Sequence, residues 1–103
     1  MGLVPLEPMM TIWAKVIKGH KITNQAVRDF ASARPDSAEG WRPVLLEFCK
    51  DLDLSCPVLL KKHVQELRRF SRTAFCAADF MESIGFDRLE IELFPEKQKA
   101  AQL

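Results

Sequence analysis

Two segments near the ends of the chain show the two-residue alternation of apolar and polar side chains that is typical of β-strands. Residues 11–18 place Ile, Ala and Val at every second position. Residues 88–93 place Leu89, Ile91 and Leu93 between charged neighbours. Because successive strand residues point to opposite faces, the second segment predicts a sheet with one face buried and the other in water.

A tight turn is predicted directly after the first strand. The Gly-His pair at residues 19–20 precedes a second apolar segment, KITNQAV, and glycine at the first position of a two-residue turn favours type II′. The resulting hairpin would pair Ile17 with Ile22. Further from the turn, it would pair Ile12 with Val27. Because the second segment has mixed polarity, we expect a strand that is short or at an edge of the sheet.

Residues 41–52 carry apolar side chains at the three- and four-residue spacing of an amphipathic helix. A polar, proline-containing segment over residues 31–40 predicts a loop, which we expect to be the most mobile internal part of the fold. This loop offers Asp36 or Ser37 as the N-cap of the helix. Pro43 fits the assignment only in a first turn, where its missing N–H is not needed.

A second helix is predicted after the first, with Ser55 as its N-cap and Pro57 in its first turn. Residues 71–78 have no clear period and indicate an irregular connection. Residues 79–83 predict one helical turn, which Gly85 would end in the left-handed conformation.

Strands at both ends of the chain with helices between them predict a two-layer α+β fold. The N-terminal hairpin and the C-terminal strand would form a three-stranded antiparallel sheet, and the two main helices would cover its apolar face. Residues 10–94 are expected to form a single domain, between a flexible leader at residues 1–9 and a flexible tail at residues 95–103.

Charge and cysteine content narrow the functional classes. The 103 residues include 15 Lys and Arg against 14 Asp and Glu, so the net charge of +1 excludes a strong overall field for nucleic acid or anionic membranes. No apolar segment approaches the roughly 18 residues of a membrane helix. Three cysteines without a paired spacing and without a signal peptide predict a reduced, cytoplasmic protein.

One side of the second helix is predicted to be basic. Its members are Lys61, Lys62, Arg68, Arg69 and Arg72. Such a face could bind phosphates or an acidic partner, and it could equally be an ordinary solvated helix exterior. Because the chain is nearly neutral, acidic residues elsewhere must compensate, and the resulting dipolar molecule favours a specific partner or self-association.

Trp13 is a second candidate for partner binding. With Ile17 and Ile22 it could form an apolar patch on the open side of the sheet, and exposed patches of this kind mark interfaces. Alternatively, this is the core face of the sheet, and Ala14 and Val16 point outward. The alternation alone leaves both options open.

Catalytic and metal chemistry has little support in the sequence. Cys49, Cys56 and His63 lie seven residues apart, with Cys76 downstream, but paired metal ligands are usually two to four residues apart. Cys56 and His63 could also be weighed as nucleophile and base, although a packed, hydrogen-bonded histidine is the simpler interpretation. The chain has no P-loop, GxGxxG, GxSxG or HExxH motif. We therefore expect no catalytic residue, metal or cofactor.

Three stretches resemble a family of short bacterial proteins of similar length with no assigned function. They are WAKVIKGHKIT, LDLSCPVLLKKH and TAFCAADFMESIGFDRLEIEL, and they cover most of residues 12–94. The resemblance implies a single domain and brings no known activity. The sequence thus predicts a non-enzymatic protein-interaction module, with a homodimer as one option. The alternative is a nucleic-acid-binding domain that uses the basic helix from Lys61 to Arg72.

Overall fold

The computed structural model describes residues 10–30 and 34–94, and its main element is a four-stranded antiparallel sheet. The strands are β1 (Met10–Lys18), β2 (Lys21–Phe30), β3 (Arg72–Cys76) and β4 (Arg88–Leu93). Helices α1 (Ala38–Leu52) and α2 (Lys61–Phe70) connect β2 to β3, and a short 3-10 helix (Ala77–Asp79) follows β3. The spatial order is β2-β1-β4-β3. The predicted leader and tail lie outside the described residues.

The α+β class and the inward face of β4 are confirmed. Leu89, Ile91 and Leu93 are all buried, and they pack in one core with apolar side chains of both helices. However, the sheet has four strands, not three. β3 was missed because only Thr73 and Phe75 are buried in its five residues, which is too short an alternation to stand out.

The hairpin is confirmed, but its turn type and outer register differ from the prediction. Gly19 and His20 both have positive φ, 57° and 68°, so the turn is type I′ and not type II′. Ile17 pairs with Ile22 as predicted. A bulge between Val16 and Ile17 then shifts the register by one residue, so the predicted pairing of Ile12 with Val27 is wrong.

Because of that shift, Val27 pairs with Trp13, and Ile12 pairs with Arg28. β2 lies at an edge of the sheet, as expected, but with ten residues it is not short. The bulge therefore determines which side chains of β2 share a face with Trp13.

Helix α1 begins three residues earlier than the apolar spacing predicts. The Ser37 hydroxyl accepts a hydrogen bond from the Gly40 N–H at 3.2 Å, which confirms Ser37 as the N-cap. A side chain at position 40 would not fit, since its Cβ would lie 2.7 Å from Cβ of Pro35. The earlier start places Pro43 beyond the first turn, so its expected position is wrong.

Helix α2 begins at Lys61, and the prediction of Ser55 as N-cap with Pro57 in the first turn is wrong. The N–H of Val58 donates to the Asp79 carbonyl at 2.7 Å, which ties the preceding segment to the 3-10 helix instead. His63 then accepts a hydrogen bond at Nδ1 from the Leu60 N–H at 2.9 Å, as Glu or Gln does in a capping box.

The predicted helical turn at residues 79–83 is also wrong. The 3-10 helix starts earlier, at Ala77, where the carboxylate of its third residue, Asp79, accepts the N–H of the N-cap residue Cys76 at 2.9 Å, as in a capping box. Gly85 does not have a positive φ, so it is not a left-handed helix end.

Candidate protein-binding surfaces

Four of the five predicted basic residues lie on the exposed side of α2. They are Lys61, Lys62, Arg68 and Arg69. Within residues 10–30 and 34–94, none of the four lies within ion-pair distance of a carboxylate. The guanidinium of Arg69 lies over the ring of Phe70, 5.8 Å from its centre, and Phe70 is itself exposed. This side of the helix is therefore a cationic surface with one aromatic ring at its end.

Arg72 does not belong to that surface. Ser71 has a left-handed backbone with φ of 61°, and its N–H closes the helix on the Leu67 carbonyl at 3.1 Å. The chain then continues as β3, where Arg72 lies opposite Glu92. The five basic residues are thus divided between a helix and a sheet edge.

Trp13 lies on the open face of the sheet. Ile12, Ala14 and Val16 are buried in the core, which decides between the two orientations that the alternation allowed. The indole N–H of Trp13 donates to Oε1 of Gln25 at 2.8 Å. Trp13 is half-buried and pairs with Val27 of β2.

A charged cluster occupies the middle of the same face. Nζ of Lys15 lies 4.1 Å from the centre of the Trp13 ring, 2.8 Å from Glu92 and 3.5 Å from Glu90. Burial alone would raise the pKa of Glu90, but hydrogen bonds and charge from Arg88 and Lys15 outweigh it and lower that pKa. Because these charges offset one another, the centre of the open face is neutral and well ordered by its own contacts.

Among the described strands, β2 forms one edge of the sheet, and the alternation of the backbone hydrogen bonds determines which of its groups point outward. The carbonyls of Thr11 and Ile17 accept hydrogen bonds from the chain around β4, so the odd-numbered residues of β1 direct their backbone groups toward β4. The even-numbered residues of β1 therefore bond to β2. By the register, these bonds reach Ala26 and Arg28, while the N–H and C=O of Val27 point away from β1.

The same alternation directs the backbone groups of Gln25 and Asp29 to the free edge. In agreement, the N–H of Gln25 is bonded to Oδ1 of its neighbour Asn24 at 3.0 Å and not to β1. The segment from Ile22 to Val27 contains six uncharged residues in a row, and five of the six are exposed. Natural edges are usually protected by charges or proline, and this segment has neither.

The two charged residues that follow this segment are engaged within the fold. Arg28 donates to both carboxylate oxygens of Asp51 in α1, and the Glu47 carboxylate lies 3.4 Å away. Oδ1 of Asp29 accepts the hydroxyl of Thr11 at 2.7 Å. These contacts fix the C-terminal end of β2 against its own domain, and no other described strand pairs with the outer side of its middle.

The opposite edge, β3, borders an open groove of about 630 Å³. The groove is lined by Glu66, Phe70, Arg72, Thr73, Ala74, Glu90 and Glu92. Its carboxylates are already engaged: Glu66 accepts the Thr73 hydroxyl, and Lys15 contacts the other two. The groove therefore has no excess charge that would select a ligand.

His63 is completely buried, and its ring lies against Phe75 with 4.3 Å between ring centres. With Nδ1 accepting from Leu60, the proton of the neutral ring is on Nε2, which is 3.5 Å from Oδ2 of Asp79 and has no hydrogen-bond partner among the described residues. Burial, with a smaller opposing effect of the Asp79 charge, lowers the pKa of His63. A buried neutral histidine that caps a helix fits a structural role, as the packed interpretation predicts.

Among the described residues, the cysteines and His63 are not grouped as a set of metal ligands. Within residues 10–30 and 34–94, no three His, Cys, Asp or Glu side chains converge as metal ligands would. Burial, strengthened by a hydrogen bond with Cys56, raises the pKa of the Cys49 thiol to about 12. Cys76 is exposed at the end of β3. All three thiols are free.

Comparison of the chain with family models, curated proteins and solved structures finds no match. Among the described residues, no helix is long and apolar enough to cross a membrane. The structure itself therefore has to carry any functional argument.

Sequence reasoning found the exposed basic residues of α2 from helical spacing alone, and it proposed Trp13 as a partner-binding residue on the correct strand. It missed the free edge of β2 as a surface. The signal was present, since the uncharged run from Ile22 to Val27 lies in a segment already expected at a sheet edge. Which backbone groups are free there depends on the bulge between Val16 and Ile17, which no pattern in the sequence marks.

Proposed function

We propose that this protein is a small, non-enzymatic protein-interaction module that binds an extended segment of a partner at the free edge of β2. The observation that carries the proposal is a ten-residue edge strand with an uncharged, exposed middle. Strand addition at such an edge gains affinity from main-chain hydrogen bonds and specificity from alternate side chains. Val27, 56% exposed beside Trp13, provides the apolar contact.

A selection of random linear peptides against the immobilised full-length protein tests this function. Val27→Pro removes one N–H from the free edge without removing a hydrogen bond to β1, so it should block strand addition and preserve the sheet. Val27→Thr is the matched control, because threonine keeps both the N–H and the strand preference. Selected peptides should bind wild type and Val27→Thr but not Val27→Pro. Peptides that bind all three equally would place recognition elsewhere and contradict the proposal.

A second candidate function is nucleic-acid binding through α2. The observation that favours it is the exposed group of Lys61, Lys62, Arg68 and Arg69, which have no carboxylate within ion-pair distance among the described residues. Four cations on a nearly neutral chain would give weak binding at physiological salt. On duplex DNA, the affinity would fall with a log–log slope of about −0.9 for each neutralised phosphate.

Titration of labelled duplex and single-stranded DNA at two salt concentrations distinguishes the two functions. Changing Arg68 and Arg69 to Glu should preserve folding, since exposed charges contribute little to stability. Arg72→Glu is the comparison variant, because Arg72 lies on β3 and not on the helix. Tight binding that depends on salt and is lost only in the helix variant would replace the strand-addition proposal with the nucleic-acid alternative.

The proposed setting is the cytoplasm of a bacterium. The bacterial origin follows the resemblance of the segments quoted above. The cytoplasmic location is supported by three free cysteines, one of them exposed, since thiols persist in reducing compartments.

A further inference from the structure

We infer that the partner at the free edge of β2 is a second copy of this chain, paired antiparallel about a two-fold axis at Val27. The inference rests on the proposed function and names its partner. An isologous dimer of this kind would join two four-stranded sheets into one continuous eight-stranded sheet.

The position of the axis follows from the bulge. Regular pairing with β1 extends from Asn24 to Phe30, and Val27 is the midpoint of that segment. The backbone groups of Val27 point to the free edge, as do those of Gln25 and Asp29. An axis at Val27 therefore places Val27 opposite its own copy and Gln25 opposite Asp29 of the second copy. All of these are hydrogen-bonding positions, so the backbone bonds can form without a change of register once the Gln25 N–H exchanges Oδ1 of Asn24 for the carbonyl of Asp29 in the second copy.

The side chains are compatible with the same axis. On the open face, the side-chain amide of Gln25, a neutral donor, would lie opposite the carboxylate of Asp29 in the second copy, which is an acceptor. On the core face, Arg28 would face Ala26, whose small side chain leaves room for the contacts of Arg28 with Asp51. No like charges stand opposite each other from Asn24 to Phe30. Cross-strand pairs of this type determine the stability of a sheet.

The dimer would also complete an apolar row on the open face. Trp13 and Val27 are direct neighbours across β1 and β2. The axis would extend this pair to Val27 and Trp13 of the second copy, so four apolar side chains would lie side by side across four strands. Val27 is 56% exposed, and the pairing would cover it. An interface built on one strand is small, so we expect a weak, reversible dimer.

Sedimentation velocity over a wide range of protein concentration tests the inference. The weight-average mass of wild type should rise toward twice that of the monomer. Val27→Lys would place two ammonium groups together at the axis and should remain monomeric. Val58→Lys is the matched control, because Val58 is similarly exposed at 42% but lies outside β2, and it should behave as wild type. Circular dichroism at low concentration checks that both variants fold.

Gln25→Glu tests the register without disturbing the monomer. Glutamate keeps an acceptor for the indole N–H of Trp13, and it gains Lys15 as a neighbour across β1. In the dimer, it would stand opposite the carboxylate of Asp29 twice. The dimer dissociation constant should therefore increase at least about threefold, since like charges directly opposite destabilise a strand pair.

A wild type that stays monomeric at every concentration would overturn the inference, and so would a Val27→Lys variant that associates as wild type does. Loss of association in Val27→Lys with no effect of Gln25→Glu would overturn the axis at Val27. If the wild type is monomeric but selected peptides still require the Val27 N–H, the proposed function stands and the second copy fails. If neither association nor peptide binding depends on Val27, both fail.

Discussion

The two edges of the sheet differ in how far the fold already closes them. β3 has five residues and lies between the left-handed Ser71 and the cap that Asp79 forms on the Cys76 N–H. β2 has ten residues, and in its middle the Gln25 N–H donates to the side chain of its neighbour Asn24, while the backbone groups of Val27 point away from β1. Short, capped edges resist pairing with other chains, whereas long, uncharged edges allow it. The comparison therefore favours β2 over β3 for the strand addition that we propose.

The helices reinforce this difference. α2 is tied to β3 because Glu66 accepts the Thr73 hydroxyl, and both partners are largely buried. α1 is tied to β2 through Arg28, which remains 39% exposed as it reaches Asp51. α2 is therefore joined to its edge strand by a part-buried contact, whereas α1 holds the end of β2 by a more exposed one.

Ile91→Ala is expected to lower the free energy of unfolding most, because it truncates a core side chain on β4, an inner strand between the two edges. Ile91 is buried and pairs with Ala14 of β1 and Thr73 of β3. Truncating a buried isoleucine costs about 2–5 kcal/mol, against a typical free energy of unfolding of about 5–15 kcal/mol. Urea denaturation would measure the loss. Val27→Ala is the control at an exposed position, and an equal loss in both variants would contradict the assigned core.

Asp79→Ala should cause the next largest loss in the free energy of unfolding, because it removes the cap at the end of β3. It removes the acceptor of the Cys76 N–H and the carboxylate nearest to Nε2 of His63. Leaving a part-buried donor unsatisfied costs about 1–3 kcal/mol. Asp29→Ala is the matched change at the open edge, where the lost partner is the exposed Thr11 hydroxyl, and it should cost less. Equal losses of stability in the two variants would mean that the edges at β2 and β3 are closed to the same degree.

The central elements could be predicted from the sequence because their signal repeats. β4 alternates over six residues, and α1 keeps its apolar spacing over three turns. Several positions therefore indicate the same element, and one atypical residue does not change the prediction. Ser37 was one of two predicted N-caps, with Asp36, because both side chains can accept helix N–H groups by a local mechanism. These features depend on neighbouring residues only.

The remaining features depend on contacts between distant residues. The start of α2 depends on His63 reaching back to Leu60, and the extended segment before it depends on a hydrogen bond from Val58 to Asp79. The separation of Arg72 from the basic helix depends on one residue with a left-handed backbone, Ser71. Glycine commonly adopts this conformation and serine does not, so the sequence does not indicate it. Local periodicity contains no information on these contacts.

A smaller, pH-dependent effect on the free energy of unfolding is expected from His63, which packs against Phe75 of β3. Burial lowers the pKa of His63, and the charge of Lys62 acts in the same direction, while Asp79 and Glu66 oppose them. The unfolded chain therefore takes up a proton more readily than the folded one. The free energy of unfolding should be unaffected by this group above about pH 6.5 and should fall as the pH decreases below it.

Urea denaturation between neutral and mildly acidic pH would show the decrease. His63→Gln should remove it, since glutamine can still accept the Leu60 N–H at this capping position. His20→Asn is the matched control, because His20 is exposed in the turn and asparagine tolerates its positive φ. A decrease of the same size in His63→Gln would assign the pH dependence to other groups.

Alkylation of the native protein distinguishes the cysteines without changing stability. Cys76 is exposed at the end of β3, Cys56 is half-buried, and Cys49 is buried in α1. The thiolate is the reactive form, and burial raises the pKa of Cys49 to about 12, so almost none of it is ionised near neutral pH. We expect Cys76 to react first and Cys49 last, as measured by mass spectrometry of digested samples over time.

The closure of β3 concerns its backbone and not the Cys76 side chain, so Asp79→Ala should leave Cys76 the first to react. If Cys49 reacted as early as Cys76, α1 would not be packed on the sheet as described, and its connection to β2 through Arg28 would also be in doubt.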